Sequence, residues 1–340
     1  MSKPTLRNVA KRAGVSLSVA SNALNDKGRV NPETRRRVKR AAREIGYVPN
    51  YSARRLRGEN RRTLGAVIAA TQEQITSEKY FGESAYAFGR SAAQAGLKLN
   101  LIHLLDNEFN ESQLCSALSD DAIDGAIIVA PLLSQIDAIA RAMARLPHIP
   151  YILFSTSPQT PEISFVDSDG QAGGRMAVRH LMRLGHTRIA YLAPPEGNSN
   201  SRDRSQGYRE EMQRAGLVPF CYALQTWIDP VPLDTMLADG ITALLAFDDI
   251  FALHIMSEAK RRGLRVPHDL AVIGFDDEPF GRVSHPRLTT LYQPLADMGA
   301  KAVKYLVRRL QGETTEPYQK IFPVKLIVRE SCGARVPPPQ

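Results

Sequence analysis

The chain has 340 residues, 43% of them hydrophobic, enough to bury a sizeable core over two or three domains. Residues 1–62 hold 17 Lys and Arg against 4 Asp and Glu, and residues 63–340 hold 27 against 31. The whole excess of a +9 chain therefore sits in its first sixth, the footprint of a phosphate-binding module.

Three scattered cysteines, Cys115, Cys221 and Cys332, offer neither a disulfide framework nor metal-ligand spacing. No apolar run is long enough to span a bilayer, and the polar, soon basic start does not resemble an export signal. A cytoplasmic protein of a reducing compartment is expected.

In chain order, Thr5 caps a first helix that places Leu6, Val9, Ala10 and Ala13 on one face. Gly14 supplies a left-handed stop, Val15 fills the turn and Ser16 caps the next helix, the spacing of a helix-turn-helix. In the second helix, Leu17–Asn25, the spacing sends Val19, Ala20, Ala23 and Leu24 to the core. Leu17, Ser18, Ser21, Asn22 and Asn25 fall on the other side, where short polar groups suit base edges and phosphates. A third helix opens at Asn31-Pro32-Glu33, buries Val38, Ala41, Ala42 and Ile45, and ends at Gly46. Its other face carries Arg35, Arg36, Arg37, Lys39, Arg40 and Arg43. A solvated face would explain that run alone, but not the confinement of the positive charge to this end.

From Leu64 the rhythm changes to short apolar strands alternating with amphipathic helices, which predicts parallel sheets covered by helices on both faces. Strands are predicted at 64–70, 97–105, 125–130, 151–154, 187–192, 243–247 and 270–275. Helices are predicted at 79–95, near 111 and 136, and at 173–184, 204–215, 250–262 and 295–310. The pattern repeats after about one hundred residues, as two consecutive lobes would. Ligands of open α/β sheets bind beyond the carboxyl ends of the strands. Thr71, Ser155, Asp167, Asp248 with Asp249, and Asp276 with Asp277 stand there. Carboxylates at such places suit the hydroxyls of a sugar.

The segments TLRNVAKRAGVS, ALN, V-x-P-E-T-R and GYVPN-x-x-A-R-x-L resemble the LacI/GalR family of bacterial transcription repressors, closely over residues 5–57 and more loosely beyond. The resemblance implies an all-α helix-turn-helix head and hinge helix joined to a two-lobed core like that of periplasmic binding proteins. Expected boundaries are 1–47 for the head and 48–62 for the hinge and linker. One lobe would span 63–163 with 294–322, the other 164–293 with 323–333, leaving 334–340 as a tail. Crossovers are placed near 161–167, 288–294 and 317–324. The tail lacks leucine heptads, so a homodimer is expected.

The implied hinge helix, Tyr51–Arg57, is too short to be stable alone. In the family it orders on operator DNA, where the residue at Leu56 wedges into the minor groove and kinks the duplex. The expected DNA-contacting set is Thr5, Ser16, Leu17, Ser18, Ser21, Asn22, Asn25, Arg29, Thr34, Asn50, Tyr51, Ala53 and Leu56. The chain departs from the common Ser-Arg at Ser21-Asn22, removing an arginine that would read guanine, so the half-site should differ from the family norm.

The expected effector-binding set is Thr71, Phe81, Ser155, Arg202, Arg204, Asp248 and Asp276. In S-R-D-R-S-Q-G-Y, Arg204 matches the family's R-x-x-G arginine, Asp276 in V-I-G-F-D-D its aspartate, and Phe81 an aromatic of the cleft. Capping of the next turn for Asp276, or an inter-lobe salt bridge for Arg204, is the plainer reading of each. Departures at Ser155 and Asp248 leave the effector open among sugars, sugar acids, phosphosugars and nucleosides. The implied partners are double-stranded operator DNA, a small-molecule effector and a second copy of the chain, with no cofactor.

An enzyme finds little support. Gly170–Gly174 (GQAGG) lacks the order of a nucleotide-binding fingerprint and reads as packing of that helix on its sheet, His180 and His186 lack metal spacing, and no G-x-S-x-G elbow is present. The alternative is a sugar-binding or enzymatic α/β protein whose basic head only tethers it to nucleic acid.

Overall fold

The computed structural model describes residues 5–24, 30–44, 63–68, 78–104, 110–120, 123–194, 199–224 and 229–335. The chain divides into two compact units, Met1–Arg61 and Arg62–Gln340.

In the first unit α1 spans Leu6–Ala13, α2 Leu17–Leu24 and α3 Pro32–Glu44. Local chemistry sets each boundary. Thr5 and Asn8 form a reciprocal capping box, the Thr5 amide donating to Asn8 Oδ1 at 2.9 Å. Gly14 ends α1 at φ 62°, in the left-handed region where a side chain is costly. Ser16 Oγ accepts from the Val19 amide at 3.2 Å, and Asn31 Oδ1 from the Glu33 amide at 2.8 Å. The core consists of small residues, Val9, Ala10, Ala13, Ala20, Ala23, Val38, Ala41 and Ala42, which lets three short helices approach closely. Arg37 donates to the Ala13 carbonyl at 3.0 Å and Arg12 pairs with Glu44 at 3.1 Å.

The second unit begins with β1 (Thr63–Ile68), α4 (Glu78–Gln94), β2 (Lys98–His103), α5 (Glu111–Asp120), β3 (Gly125–Val129), α6 (Ile136–Arg145), β4 (Tyr151–Phe154) and β5 (Phe165–Ser168). There follow α7 (Gly170–Arg183), β6 (Ile189–Ala193), α8 (Ser199–Arg214), β7 (Phe220–Ala223), α9 (Leu233–Ala238), β8 (Ala243–Ala246), α10 (Asp249–Arg261), β9 (Ala271–Ile273) and α11 (Pro279–Val283). The chain closes with β10 (Thr290–Tyr292), α12 (Leu295–Leu310), β11 (Gln319–Phe322) and β12 (Lys325–Ile327).

Two parallel sheets result, six strands in the order β11-β5-β4-β3-β1-β2 and four in the order β7-β6-β8-β9. Strands β10 and β12 pair antiparallel. The central strands are buried on both faces, which is why they read as continuous apolar runs. In β3, Ile127 and Val129 enter the core shared with α4 and α12, and Ala126 and Ile128 the one shared with α5 and α6. In β6, Ala190 and Leu192 face one core, Ile189 and Tyr191 the other.

Helix α12 has the bounds read from the sequence and packs on α4, after the second sheet is complete. Strand β5 lies between β11 and β4, so the first sheet extends to Ser168, beyond the boundary expected at 163. Its sequence, FVDS, hides the strand because buried Asp167 interrupts the apolar run.

Candidate DNA-reading face and candidate effector site

On the first unit, Leu17, Ser18 and Asn22 project from α2 into solvent, Leu17 with 47% of its surface exposed. Thr5 and Ser16 are exposed at the two helix starts, and Thr34 is half-buried on α3. Ser21, expected on the same face, is only 8% exposed. Helix α2 packs against both α1 and α3, so its covered arc is wider than a single-partner stripe and takes in Ser21. The basic face of α3 is also partly structural, since Arg37 caps the end of α1. Asn25, Arg29, Asn50, Tyr51, Ala53 and Leu56, with the hinge helix, lie outside the described residues, as does Thr71.

In the second unit, buried polar side chains gather where β4, β5, β8 and β9 end and α8 begins. Arg204, on the second turn of α8, is 3% exposed. Its Nη1 donates to the Phe247 carbonyl at 2.5 Å, its Nη2 stands 3.5 Å from Asp276 Oδ1, and its Nε is buried without a hydrogen-bond partner among the described residues. The guanidinium carbon lies 3.6 Å from the Phe275 ring centroid and 4.8 Å from that of Phe247, so two aromatic faces hold the charge. Asp276, at φ 109°, accepts from Gln293 Nε2 at 2.5 Å, and Ser168 Oγ donates to Gln293 Oε1 at 2.5 Å. This chain of side chains runs from the end of a first-sheet strand to the end of a second-sheet strand.

The first turn of α8 bonds to the same region. Asn200 Nδ2 donates to the Ser155 carbonyl at 3.1 Å, Ser199 Oγ to Asp167 Oδ2 at 3.4 Å, and the Ser157 amide to Ser199 Oγ at 3.1 Å. Ser155 is buried at φ 55° at the end of β4, and its amide donates to the Val166 carbonyl at 2.8 Å. The hydroxyl of buried Tyr80 interacts with Ser155 and senses the charges of Asp167, Asp276 and Arg204.

Burial, ahead of every other cause, lifts the carboxyl groups here. Asp167 and Asp276 are each pushed up to about 7 and Asp248 to about 6, while Arg204 opposes the rise in all three. Asp248 also caps α10, accepting from the Phe251 amide at 2.8 Å. Asp249 is an anchor, accepting from Thr290 Oγ1 at 2.5 Å and the Glu278 amide at 2.6 Å. Asp277 pairs with Arg282 and Arg329.

The structure thus brings Ser155, Arg204, Asp248 and Asp276 into one region. Arg202 donates to the Ser157 carbonyl at 3.0 Å and to Asp203 at 2.8 Å. The plain reading of Arg204 as an inter-lobe ion pair does not hold, because its partners Phe247 and Asp276 end strands of its own sheet. Phe81 packs on the first core, ring to ring with Tyr80 at 5.0 Å, and Tyr80 is the aromatic among the polar groups. Sequence reasoning missed Tyr80, Asn200 and Gln293. The only signal was the neighbourhood of Tyr80 to Phe81 and of Asn200 to Arg204.

Glycines explain how Arg204 gets there. A Cβ on Gly207 would stand 2.0 Å from the Gln171 carbonyl oxygen, and one on Gly174 2.4 Å from the Arg204 carbonyl oxygen. The R-x-x-G and GQAGG runs are two sides of one close helix contact, α7 against α8. The expected packing role of GQAGG is therefore directed mainly at a helix.

Residues 5–50 match the family described as bacterial regulatory proteins, lacI family, and residues 178–332 a periplasmic binding protein-like domain. The HTH-type transcriptional regulator CelR of Thermobifida fusca is 31% identical, over 97% of this chain and 98% of its own. The chain belongs to the lacI family. Among solved structures, a lac repressor dimer bound to operator and the anti-inducer ONPF is 29% identical with a TM-score of 0.82, covering 98% of this chain and 100% of that one. A CelR–cellobiose complex is 29% identical with a TM-score of 0.73, covering 97% and 100%. This lacI-family protein is a DNA-binding transcriptional regulator with a helix-turn-helix head and a periplasmic-binding-protein-like core, and its relatives are regulators rather than enzymes. No helix among the described residues is long and apolar enough to cross a membrane.

Proposed function

We propose that this regulator is a homodimeric repressor whose affinity for a pseudo-palindromic operator is set by a sugar or sugar derivative held beside Arg204. The observation that carries the reading is the buried chain Ser168–Gln293–Asp276–Arg204, which joins the ends of two separate sheets. A hydroxylated ligand can donate to Asp276 and Asp248 and accept from Arg204 Nε. Because the groups come from both sheets, occupancy changes how the sheets are held, and a ligand preferring one arrangement shifts a two-state equilibrium. The lac repressor dimer bound to operator and the CelR complex with cellobiose support the class of both partners.

Ser155, Arg204, Asp248 and Asp276 are the proposed effector contacts, with Tyr80, Asn200 and Gln293 added. Leu17, Ser18 and Asn22 are the proposed base-reading residues, backed by phosphate contacts from the basic head. The proposed divisions are a head to residue 47, a hinge to 62, and two lobes exchanging chain after Ser168, near 293 and near 323. A second copy has apolar surface to cover at Leu101 on edge strand β2, at Tyr86, and at Phe280 and Val283 of α11, all exposed.

The experiment is selection of bound duplexes from a random pool by the purified protein, followed by salt-dependent binding of the winner. Two related half-sites with a steep salt slope are expected. A single, asymmetric site would overturn the dimeric reading.

A further inference from the structure

A cavity of about 250 Å³ lies over α7 and β12, away from the polar groups around Arg204. Its polar wall is Arg175, Arg179, Arg183 and His180, and its apolar wall Ala172, Met176 and Leu326. At about 30 Å³ per water, that volume has room for an anion and a small ring.

The three arginines stand four apart, so they share one helix face, where like charges repel. Arg175 is offset by Glu210 at 2.9 Å and Arg179 by Glu211 at 2.9 Å. Glu211 is shared with Arg214. Arg183, exposed on the last turn, has no acidic partner among the described residues. The helix dipole favours a cation at that end, which accounts for Arg183 alone. It does not account for two more arginines and a histidine around one cavity with an apolar floor. His180 is fixed by its Nε2 contact to Cys332 Sγ at 3.2 Å, and burial followed by Arg183 holds its basicity below the usual histidine value.

We propose that this cavity binds a phosphate monoester, the dianion bridging Arg179 and Arg183 and a small apolar body lying on Met176 and Leu326. Guanidinium groups suit this anion because each offers paired donors to two phosphate oxygens. Met176 and Leu326 give the body a place that inorganic phosphate leaves uncovered. The site is independent of the effector reading above, since it shares no residue with the Arg204 region.

The test uses the full chain with its methionine methyl groups labelled with carbon-13, Met176 being assigned from Met176→Leu. Phenyl phosphate, inorganic phosphate and phenol are titrated at matched ionic strength. The local methyl signal separates this cavity from phosphate binding by the basic head. The Met176 methyl should shift saturably with phenyl phosphate, and at higher concentration with inorganic phosphate. Arg183→Gln should weaken phenyl phosphate about tenfold, the loss of one charge-assisted hydrogen bond. Operator binding without the ligand should be unchanged. A Met176 signal that stays still, that answers phenol as well as phenyl phosphate, or that titrates identically in Arg183→Gln overturns the proposal.

Discussion

The guanidinium of Arg204 stands 3.5 Å from the carboxylate of Asp276, and both side chains are buried. Removing one partner of a buried pair strands the other, at a cost of about 3–5 kcal/mol. Asp276 has an escape, since its carboxyl is already pushed up to about 7 and can take a proton. Arg204→Met should therefore lower stability strongly at pH 8 and much less at pH 6. Urea unfolding of the variant at the two pH values checks this, and equal losses would mean that Asp276 stays ionised without its partner.

The pH dependence of the wild type follows from the same carboxyl groups. Asp167 and Asp276 at about 7 and Asp248 at about 6 hold protons in the folded state where the unfolded chain, near 3.8, has lost them. Stability should thus fall as pH rises from about 4 through about 7, then level off. Glu211, pulled down to about 2 chiefly by Arg179, acts oppositely and only in acid, so the two windows barely overlap. Asp276→Asn should flatten part of the neutral slope in unfolding melts collected across that range.

Gly207 sets the distance between α7 and α8. In Gly207→Ala the new methyl would meet the Gln171 backbone, 2.0 Å from its oxygen, and backbone cannot yield as a side-chain tip can. A loss of about 1–3 kcal/mol is expected. The effector response should weaken too, because α8 carries Arg204. Thermal melts and ligand titrations of the variant test both.

On α2, neighbouring residues should behave in opposite ways. Asn22 is exposed, so Asn22→Arg should keep the fold and shift preference toward guanine by about 1–3 kcal/mol at one base pair. Ser21 is buried, so Ser21→Arg should unfold the head. Binding-site selection for the first and circular dichroism for the second distinguish them.

What was legible in the sequence was what local chemistry or periodicity decides. The Thr5 cap, the Gly14 stop and the span of α12 follow from short-range rules, and the structure has them where those rules put them. A helical wheel puts Ser21 on the polar face of α2, but α2 has two covering partners and Ser21 is buried. Strands β5 and β7 were missed for different reasons, one interrupted by buried Asp167, the other half exposed at a sheet edge. In the candidate site, strand-end logic found Ser155, Asp248 and Asp276, and the family motif found Arg204. Tyr80 and Phe81 are not separated by either, because neighbouring residues differ only in the direction a helix points them.

The proposed effector site holds a sugar-class ligand beside Arg204. Thermal unfolding of the full chain against a panel of sugars and sugar derivatives, cellobiose included, in the wild type and in Arg204→Lys, tests this. A ligand bound only by the folded state raises the melting temperature by mass action. At least one sugar should raise that of the wild type in a saturable way and leave Arg204→Lys where it was. A panel that moves neither protein, or a sugar that moves both equally, would rule out a sugar site at Arg204.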